Sequence, residues 1–346
     1  MKLLKTHKSL FVAAVLVILA QWFMLSNQYV EYWYANGIYP YLSGFLGFSL
    51  GWIPFSVGDL LYAGMIVWAA LGLWQFAAGI WIKGFRSRWE SKEMVLRHFL
   101  KLITLLAWIW LAFHVLWGFN YYRKSIPDQF GFVAERPSKQ ELLQFTQYIL
   151  RETNRYALEL KSSPLNTLTH DNCSIVNSNL PKPSLFGVIG NYMGYGGYYN
   201  PFTGEAQINT HMPAFMLPFI AVHEKAHQLG HAKESEANFM GYLAAMQSVD
   251  SCLKYSANLE MFMFANNALR RSDSVAAKNN FKALSPIAIK DLKSYKAFVQ
   301  QYQGPIDEFT TWFYTKFLRI NNQPEGMYSY NLGMVYVMQY LNKKPA

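Results

Sequence analysis

His223-Glu224-Lys225-Ala226-His227 decides the reading of this chain, because it is an H-E-x-x-H pentad with helix-forming flanks. Four residues make just over one helical turn, so both imidazoles project from the same side. Two neutral imidazoles so placed can hold one Zn²⁺ at about 2.0–2.1 Å. Glu224 then stands beside the ion, where a carboxylate can take a proton from water that the metal activates. The chemistry implied is metal-assisted hydrolysis of an amide. The plainer alternative is an amphipathic helix carrying two histidines and a glutamate on its wet face.

The downstream residues favour the metal. Gly230 is a helix stop, since glycine tolerates the left-handed conformation of a C-terminal cap. A second helix is expected from near Lys233 through Met246. Catalytic zinc usually keeps three protein ligands and one position for water. Glu234, early on that second helix, can fold back to the metal as the third ligand. Asn238 lies one turn later on the same face, where its amide could hydrogen-bond a ligating imidazole. His231 and Glu236 are the competing ligands. His231 would need a tight bend straight after the first helix. Glu236 is about 200° round from Glu234 and reads better as a solvated carboxylate. Lys233 occupies the position where H-E-x-x-H-x-x-G-x-x-H would require a histidine, which excludes that pattern.

Upstream, Tyr192 to Tyr199 is glycine-rich and aromatic, and Asn200-Pro201-Phe202-Thr203-Gly204 is a turn by composition. Glu205 to Asn209 alternates as a short strand. Such a strand beside the pentad helix either offers an edge to an extended peptide or belongs to an ordinary hairpin. Pro213 and Pro218 precede the helix, and the second suits its first turn.

The first third of the chain is of another kind. Leu10 to Leu25, Leu60 to Ile82 and Leu102 to Phe119 are apolar runs, each about long enough to cross a ~30 Å bilayer core as a helix. Tyr39 to Phe55 is apolar but broken by Gly and Pro, and reads as interfacial or re-entrant. No small-residue cleavage site follows the first run, so it is a retained anchor. His114, inside the third run, reads as a packing residue. Lys2, Lys5 and Lys8, then Lys83, Arg86, Arg88, Lys92 and Arg97, mark the cytoplasmic side, while Glu31 to Asp59 holds no Lys or Arg. Three spans place everything after Asn120 outside; a fourth span at Tyr39–Phe55 would reverse this. The expected organisation is a membrane domain over residues 1–120 and an extracytoplasmic domain over residues 121–346.

The latter is expected to be α+β and helix-dominated, with a small sheet near the pentad helix. Helices are expected at Pro137–Leu160, Tyr255–Arg271, Ile287–Tyr302, Ile306–Phe317 and Tyr330–Leu341, and a strand at Ser184–Ile189. Cys173 and Cys252, the only two cysteines, fit no metal spacing; they form one disulfide outside the cytoplasm or remain two buried thiols. The net charge of +10 is spread without a basic run, which speaks against nucleic acid and for anionic lipid.

Three segments carry a family resemblance: Asn200-Pro201-Phe202-Thr203-Gly204-Glu205-Ala206, the pentad with Gln228-Leu229-Gly230, and Glu234-Ser235-Glu236-Ala237-Asn238-Phe239. With Ile53-Pro54-Phe55-Ser56-Val57-Gly58-Asp59 they resemble an uncharacterised bacterial membrane family, domain of unknown function 3810, with zincin-like signatures. A wider resemblance is to gluzincin peptidases, in which a Glu-x-x-x-Asp segment follows the H-E-x-x-H helix. It implies a zincin-like domain with zinc on His223, His227 and Glu234, and with Asn238 standing where those peptidases have aspartate. Tyr330, in Tyr328-Ser329-Tyr330, resembles a Ser-Tyr pair near the family's C-terminus and is the first candidate for stabilising an oxyanion, ahead of His211 and Tyr199.

The expected function is a zinc metallopeptidase in a bacterial cytoplasmic membrane, multi-pass, acting on a peptide or protein substrate outside, with Glu224 as general base. The alternative is a non-catalytic membrane protein with a structural zinc or a retired peptidase fold used for binding. A transporter is disfavoured because the spans hold almost no ionisable residues.

Overall fold

In this computed structural model, residues 2–81, 92–162, 181–326 and 329–343 are described, and most of them are helical. α1 (Lys2–Met24) ends at a bend where Ser26 Oγ accepts from Tyr29 N at 3.3 Å, capping α2 (Asn27–Tyr29). The chain continues through a π-helical stretch, Val30–Ile38, into α3 (Tyr39–Leu50). The residues on either side of the bend run at 95° to each other. α4 (Val57–Trp81) and α5 (Lys92–Leu116) follow. Among the described residues, Val57–Gln75 and Val95–Leu116 are long and apolar enough to cross a membrane, and the bent pair would make a third if it is one span. The second and third runs fall largely within these helices, the third being shifted toward its N-terminal side so that it ends at Leu116 rather than Phe119, while the first leads directly into the bent Tyr39 segment. Lys83, Arg86 and Arg88 lie outside the described residues. Large apolar side chains of α4, such as Ile66, Trp68 and Trp74, are exposed, a surface unsuited to water. His114 is a packing residue, its Nδ1 2.9 Å from the Trp110 carbonyl oxygen and its ring against Trp110.

The rest of the chain comprises α6 (Ile126–Phe130), α7 (Lys139–Ser162), β1 (Lys182–Pro183), α8 (Gly187–Met193), β2 (Gly197–Asn200) and β3 (Glu205–Ile208). Then come α9 (Leu217–Gln228), α10 (Glu234–Gln247), α11 (Ser251–Ser272), α12 (Ser274–Lys282), α13 (Pro286–Tyr302), α14 (Pro305–Ile320) and α15 (Ser329–Lys343). Phe145 and Ile149 of α7, Phe219 of α9, Phe239 of α10, Phe262 of α11 and Met338 of α15 form the main core.

The sheet order is β1-β3-β2, with β1 parallel and β2 antiparallel to β3. Two expectations change here. β3 is central, so Glu205–Ile208 has no open edge, and the border beside the pentad belongs to β2. Ser184–Ile189 is not a strand: Leu185 N donates to Asp59 Oδ2 at 2.6 Å and Phe186 N to Ser184 Oγ at 3.1 Å, and the chain turns into α8. Side chains take the donors that a ladder would need.

A second core crosses the expected boundary at residue 120. It joins Tyr39, Leu111, Trp117 and Phe119 to Tyr199, Ala206 and Ala232. Polar contacts reinforce it. Glu205 accepts from Gly58 N at 2.6 Å and Val57 N at 3.2 Å, neutralising the start of α4, and Lys182 Nζ meets the same carboxylate at 2.6 Å. The Gln207 amide accepts from Ser56 Oγ at 2.8 Å while donating to the Tyr198 and Glu205 carbonyls. The two segments Ile53–Asp59 and Asn200–Ala206 are therefore one interface.

Arg123 closes the junction. Its guanidinium donates to both oxygens of Glu31, at 2.7 and 3.0 Å, and to the Gly230 carbonyl at 3.2 Å. Both side chains are nearly sealed from solvent. Replacing either one, by Arg123→Met or Glu31→Gln, leaves a buried charge and should cost about 3–5 kcal/mol. The double variant should lose less than the sum of the two singles. Thermal unfolding of the full chain in detergent checks this; strictly additive losses would show the pair to be uncoupled.

Candidate metal and hydrolytic site

α9 carries Pro218 in its first turn, and Phe219 N donates to Ser256 Oγ at 3.1 Å, which satisfies one of the amides a helix start leaves open. His223, Glu224 and His227 are buried on it. Its end is a Schellman turn. Gly230 has φ +89°, Gly230 N donates to the His227 carbonyl at 3.0 Å, and His231 N donates to the Ala226 carbonyl at 3.1 Å. A Cβ at residue 230 would meet the Tyr39 ring at 3.0 Å, so glycine is required for space as well as for conformation. The carbonyls of this turn are held from the apolar first third of the chain. Trp117 Nε1 donates to His227 O at 3.1 Å, and Tyr39 OH to Gln228 O at 2.8 Å.

The turn delivers α10, whose first residue is Glu234. Glu234 Oε2 lies 3.2 Å from His223 Nε2 and 3.5 Å from His227 Nε2, and all three groups are buried. A tetrahedral ion with bonds of ~2.0–2.1 Å spaces its ligand atoms about 3.3 Å apart. Glu234 Oε2 is sealed from solvent and has no hydrogen-bond partner. Spacing, donor chemistry and the orphaned oxygen all suit a zinc ion with one further position for water.

The supporting atoms are specific. His227 Nδ1 lies 2.8 Å from the His231 carbonyl oxygen; a proton there leaves Nε2 as the ligand atom. Tyr314 OH, from α14, donates to Glu234 Oε1 at 2.6 Å, which turns Oε2 toward the imidazoles. Glu234 N donates to Gln323 Oε1 at 3.1 Å. Asn238 is buried one turn beyond Glu234 and lines a cavity with His223 and Glu224. For His227, the supporting role expected of Asn238 belongs to the His231 carbonyl. Glu236 differs from expectation: it is fully buried, 3.6 Å from Lys233 Nζ, and outside the ligand group, so it is neither solvated nor a ligand here. The His231 ring is also outside that group.

Burial raises the Glu224 carboxyl to about 7, against the opposing charges of His223 and His227. Burial opposes ionisation of Glu234 too, yet the His227 and His223 charges hold it well below the usual carboxylate range. Burial lowers His227, but the Glu234 carboxylate outweighs it and lifts the ring to about 9. These directions describe the site without an ion.

Two cavities meet at the pentad. One, of about 330 Å³, is walled by Phe113, Trp117, Tyr198, Phe202 and Phe317 around His223, Glu224, His227 and Glu234. The other, of about 590 Å³, reaches Glu224 from the far side, past Met216, Phe264 and Tyr295 to Glu260. Tyr199 lines the first cavity, its hydroxyl 3.3 Å from that of Tyr39. His211 is on the exposed turn after β3. Tyr330 is in the first turn of α15, and its side chain lies outside the described residues. Tyr314 lines both cavities and is the phenol that bonds Glu234.

A family model described as "Protein of unknown function (DUF3810)" matches residues 34–338. No curated protein and no solved structure matches the chain.

Gly197 of β2 is pressed between β3 and Glu224. A Cβ there would lie 2.7 Å from the Gln207 carbonyl oxygen and 2.8 Å from Glu224 Cγ and Oε1, whereas at Gly196 the near atom is the mobile Ile220 Cδ1 at 2.8 Å. Gly197→Ala should therefore destabilise by about 1–3 kcal/mol and more than Gly196→Ala, as read by thermal unfolding. Glu260 supplies a pH test. Burial alone raises its carboxyl to about 7, and its Oε2 is unpartnered. The folded state thus binds more protons than the unfolded chain between about pH 4.5 and 7, so stability falls as pH rises through that window. Glu260→Gln should remove that loss, its Tm gaining on wild type from pH 4.5 to 8; a constant difference would contradict it.

Proposed function

The chain belongs to the DUF3810 family, whose function is unknown, and from that premise we propose that it is a membrane-anchored zinc metallopeptidase. It hydrolyses peptide bonds on the outer side of the cytoplasmic membrane. The observation that carries this reading is the approach of Glu234 Oε2 to within 3.2 Å of His223 Nε2 and 3.5 Å of His227 Nε2, close to tetrahedral ligand spacing, beside the buried carboxylate of Glu224.

His223, His227 and Glu234 would hold the ion. Zinc bound there would supply Lewis acidity, lowering the pKa of water and polarising the scissile carbonyl. Glu224 accepts the proton of the attacking water and then passes it to the leaving amine. Tyr314, which lines both cavities, donates its one hydroxyl proton to Glu234 Oε1 and so holds the third ligand in place. The outer border of β2, with Gly197 and Tyr198 at Glu224, offers backbone groups to an extended peptide.

Two observations support the outer placement. Cys252 is disulfide-bonded, which suits an oxidising compartment; Cys173 lies outside the described residues. The start of α4 binds Glu205 and the end of α5 leads into Trp117 at the site, so both candidate spans meet the site domain at the ends away from the basic 83–88 connection. The structural-zinc alternative calls for a fourth protein ligand, and among the described residues neither His231 nor Glu236 joins the group.

Glu224→Gln preserves shape and removes the base. Hydrolysis of a casein or mixed-peptide substrate should fall by about 10²–10⁴-fold while bound zinc is retained. A Glu224→Gln protein of undiminished activity would refute the mechanism.

A further inference from the structure

Two helices outside the candidate spans carry large apolar side chains that face solvent. On α14, Ile306, Phe309, Trp312, Phe313 and Ile320 are exposed, the three aromatics at 63%, 58% and 57%. At 100° per residue they form a stripe about 120° wide, with Lys316 within it. Tyr314 lies off the stripe and bonds Glu234. On and beside α8, Leu185, Val188 and Ile189 are exposed in the same way. The two helices pack against each other, so the faces belong to one surface.

Two tethers fix the level of that surface. Phe317 of α14 stacks edge-on to Phe113 at 6.4 Å, and Phe113 is three residues, about 5 Å, from the end of the Val95–Leu116 span. Leu185 N and Ser184 Oγ bond Asp59, the third residue of α4, at 2.6 and 3.2 Å. Both faces therefore sit at the ends of the spans, where a bilayer passes from hydrocarbon to headgroups. A helix with an aromatic stripe and a lysine able to extend outward is suited to that layer. The smaller cavity is walled at the same level, by Tyr62 about 8 Å into α4, by Phe113 and by Phe317.

We propose that α14 and the Leu185–Ile189 face lie in the outer interface of the bilayer, and that the site takes peptides presented there by an apolar anchor. The face is continuous with the lipid-facing spans, which makes the bilayer its occupant. The substrate half of this inference rests on the hydrolase reading above; the surface half does not.

Full-length protein in phosphatidylethanolamine–phosphatidylglycerol nanodiscs tests both. Spin labels at Phe309→Cys and Phe313→Cys should favour oxygen over a water-soluble nickel relaxant, with a label at Val249→Cys, on the turn between α10 and α11, showing the reverse. Water-like labels at 309 and 313 would overturn the surface assignment. An internally quenched peptide with an N-terminal palmitoyl chain should be cleaved on the order of tenfold or more faster than its free form. Phe309→Ser/Trp312→Ser/Phe313→Ser should shrink that ratio toward one. Equal rates in the wild type, or a ratio the triple variant leaves intact, would overturn the substrate assignment. If no peptide is cleaved, the hydrolase reading fails, while the labels still decide the surface.

Discussion

Everything at the site depends on one reversal of the chain, the turn at Gly230. An α-helix can place two imidazoles one turn apart by itself, but it cannot supply a carboxylate on the far side of an ion. The left-handed Gly230 and the two Schellman hydrogen bonds stop α9 and send the next helix back across it. Glu234 is then the first residue of α10 and reaches both Nε2 atoms. A longer connection would make that approach one of many conformations. This one is fixed by Tyr39 and Asn120 crowding the glycine and by donors from Trp117, Tyr39 and Arg123 on the turn carbonyls.

Two of those donors, Trp117 and Tyr39, come from the apolar first third of the chain, which makes that part a component of the site. Trp117 bonds the carbonyl of a candidate ligand, and Asp59 accepts from Tyr198 on the strand beside Glu224. The buried groups Glu205, Asp59 and Arg123 would be costly if left alone, and each takes at least one partner from across the junction. The halves consequently fix each other's orientation.

Much of this was legible in the sequence where the signal is local. The pentad spacing, the glycine stop and the early glutamate place His223, Glu224, His227 and Glu234 without coordinates. Apolar run length finds α4 and α5, and periodicity finds the long helices from α7 onward. What escaped is long-range. Tyr314 is 80 residues from Glu234, and no spacing rule links them. Glu260 stands between Leu259 and Met261 on a mainly apolar stretch, a local oddity that could have been noticed. The Ser184–Ile189 strand failed because its amides are captured by Asp59 and Ser184, and the first of these is contributed by a distant helix. The central place of β3 and the burial of Glu236 likewise depend on what packs against them, not on their own residues.

The central claim, a carboxylate brought to two imidazoles around one ion, is tested most directly by zinc-edge X-ray absorption and metal stoichiometry on the purified full-length chain. The expected result is one zinc per chain, bound by two imidazole nitrogens at about 2.0–2.1 Å and by oxygen, with zinc lost in Glu234→Ala. A chain that purifies without metal under zinc-replete conditions, or a Glu234→Ala variant with an unchanged zinc spectrum, would contradict it.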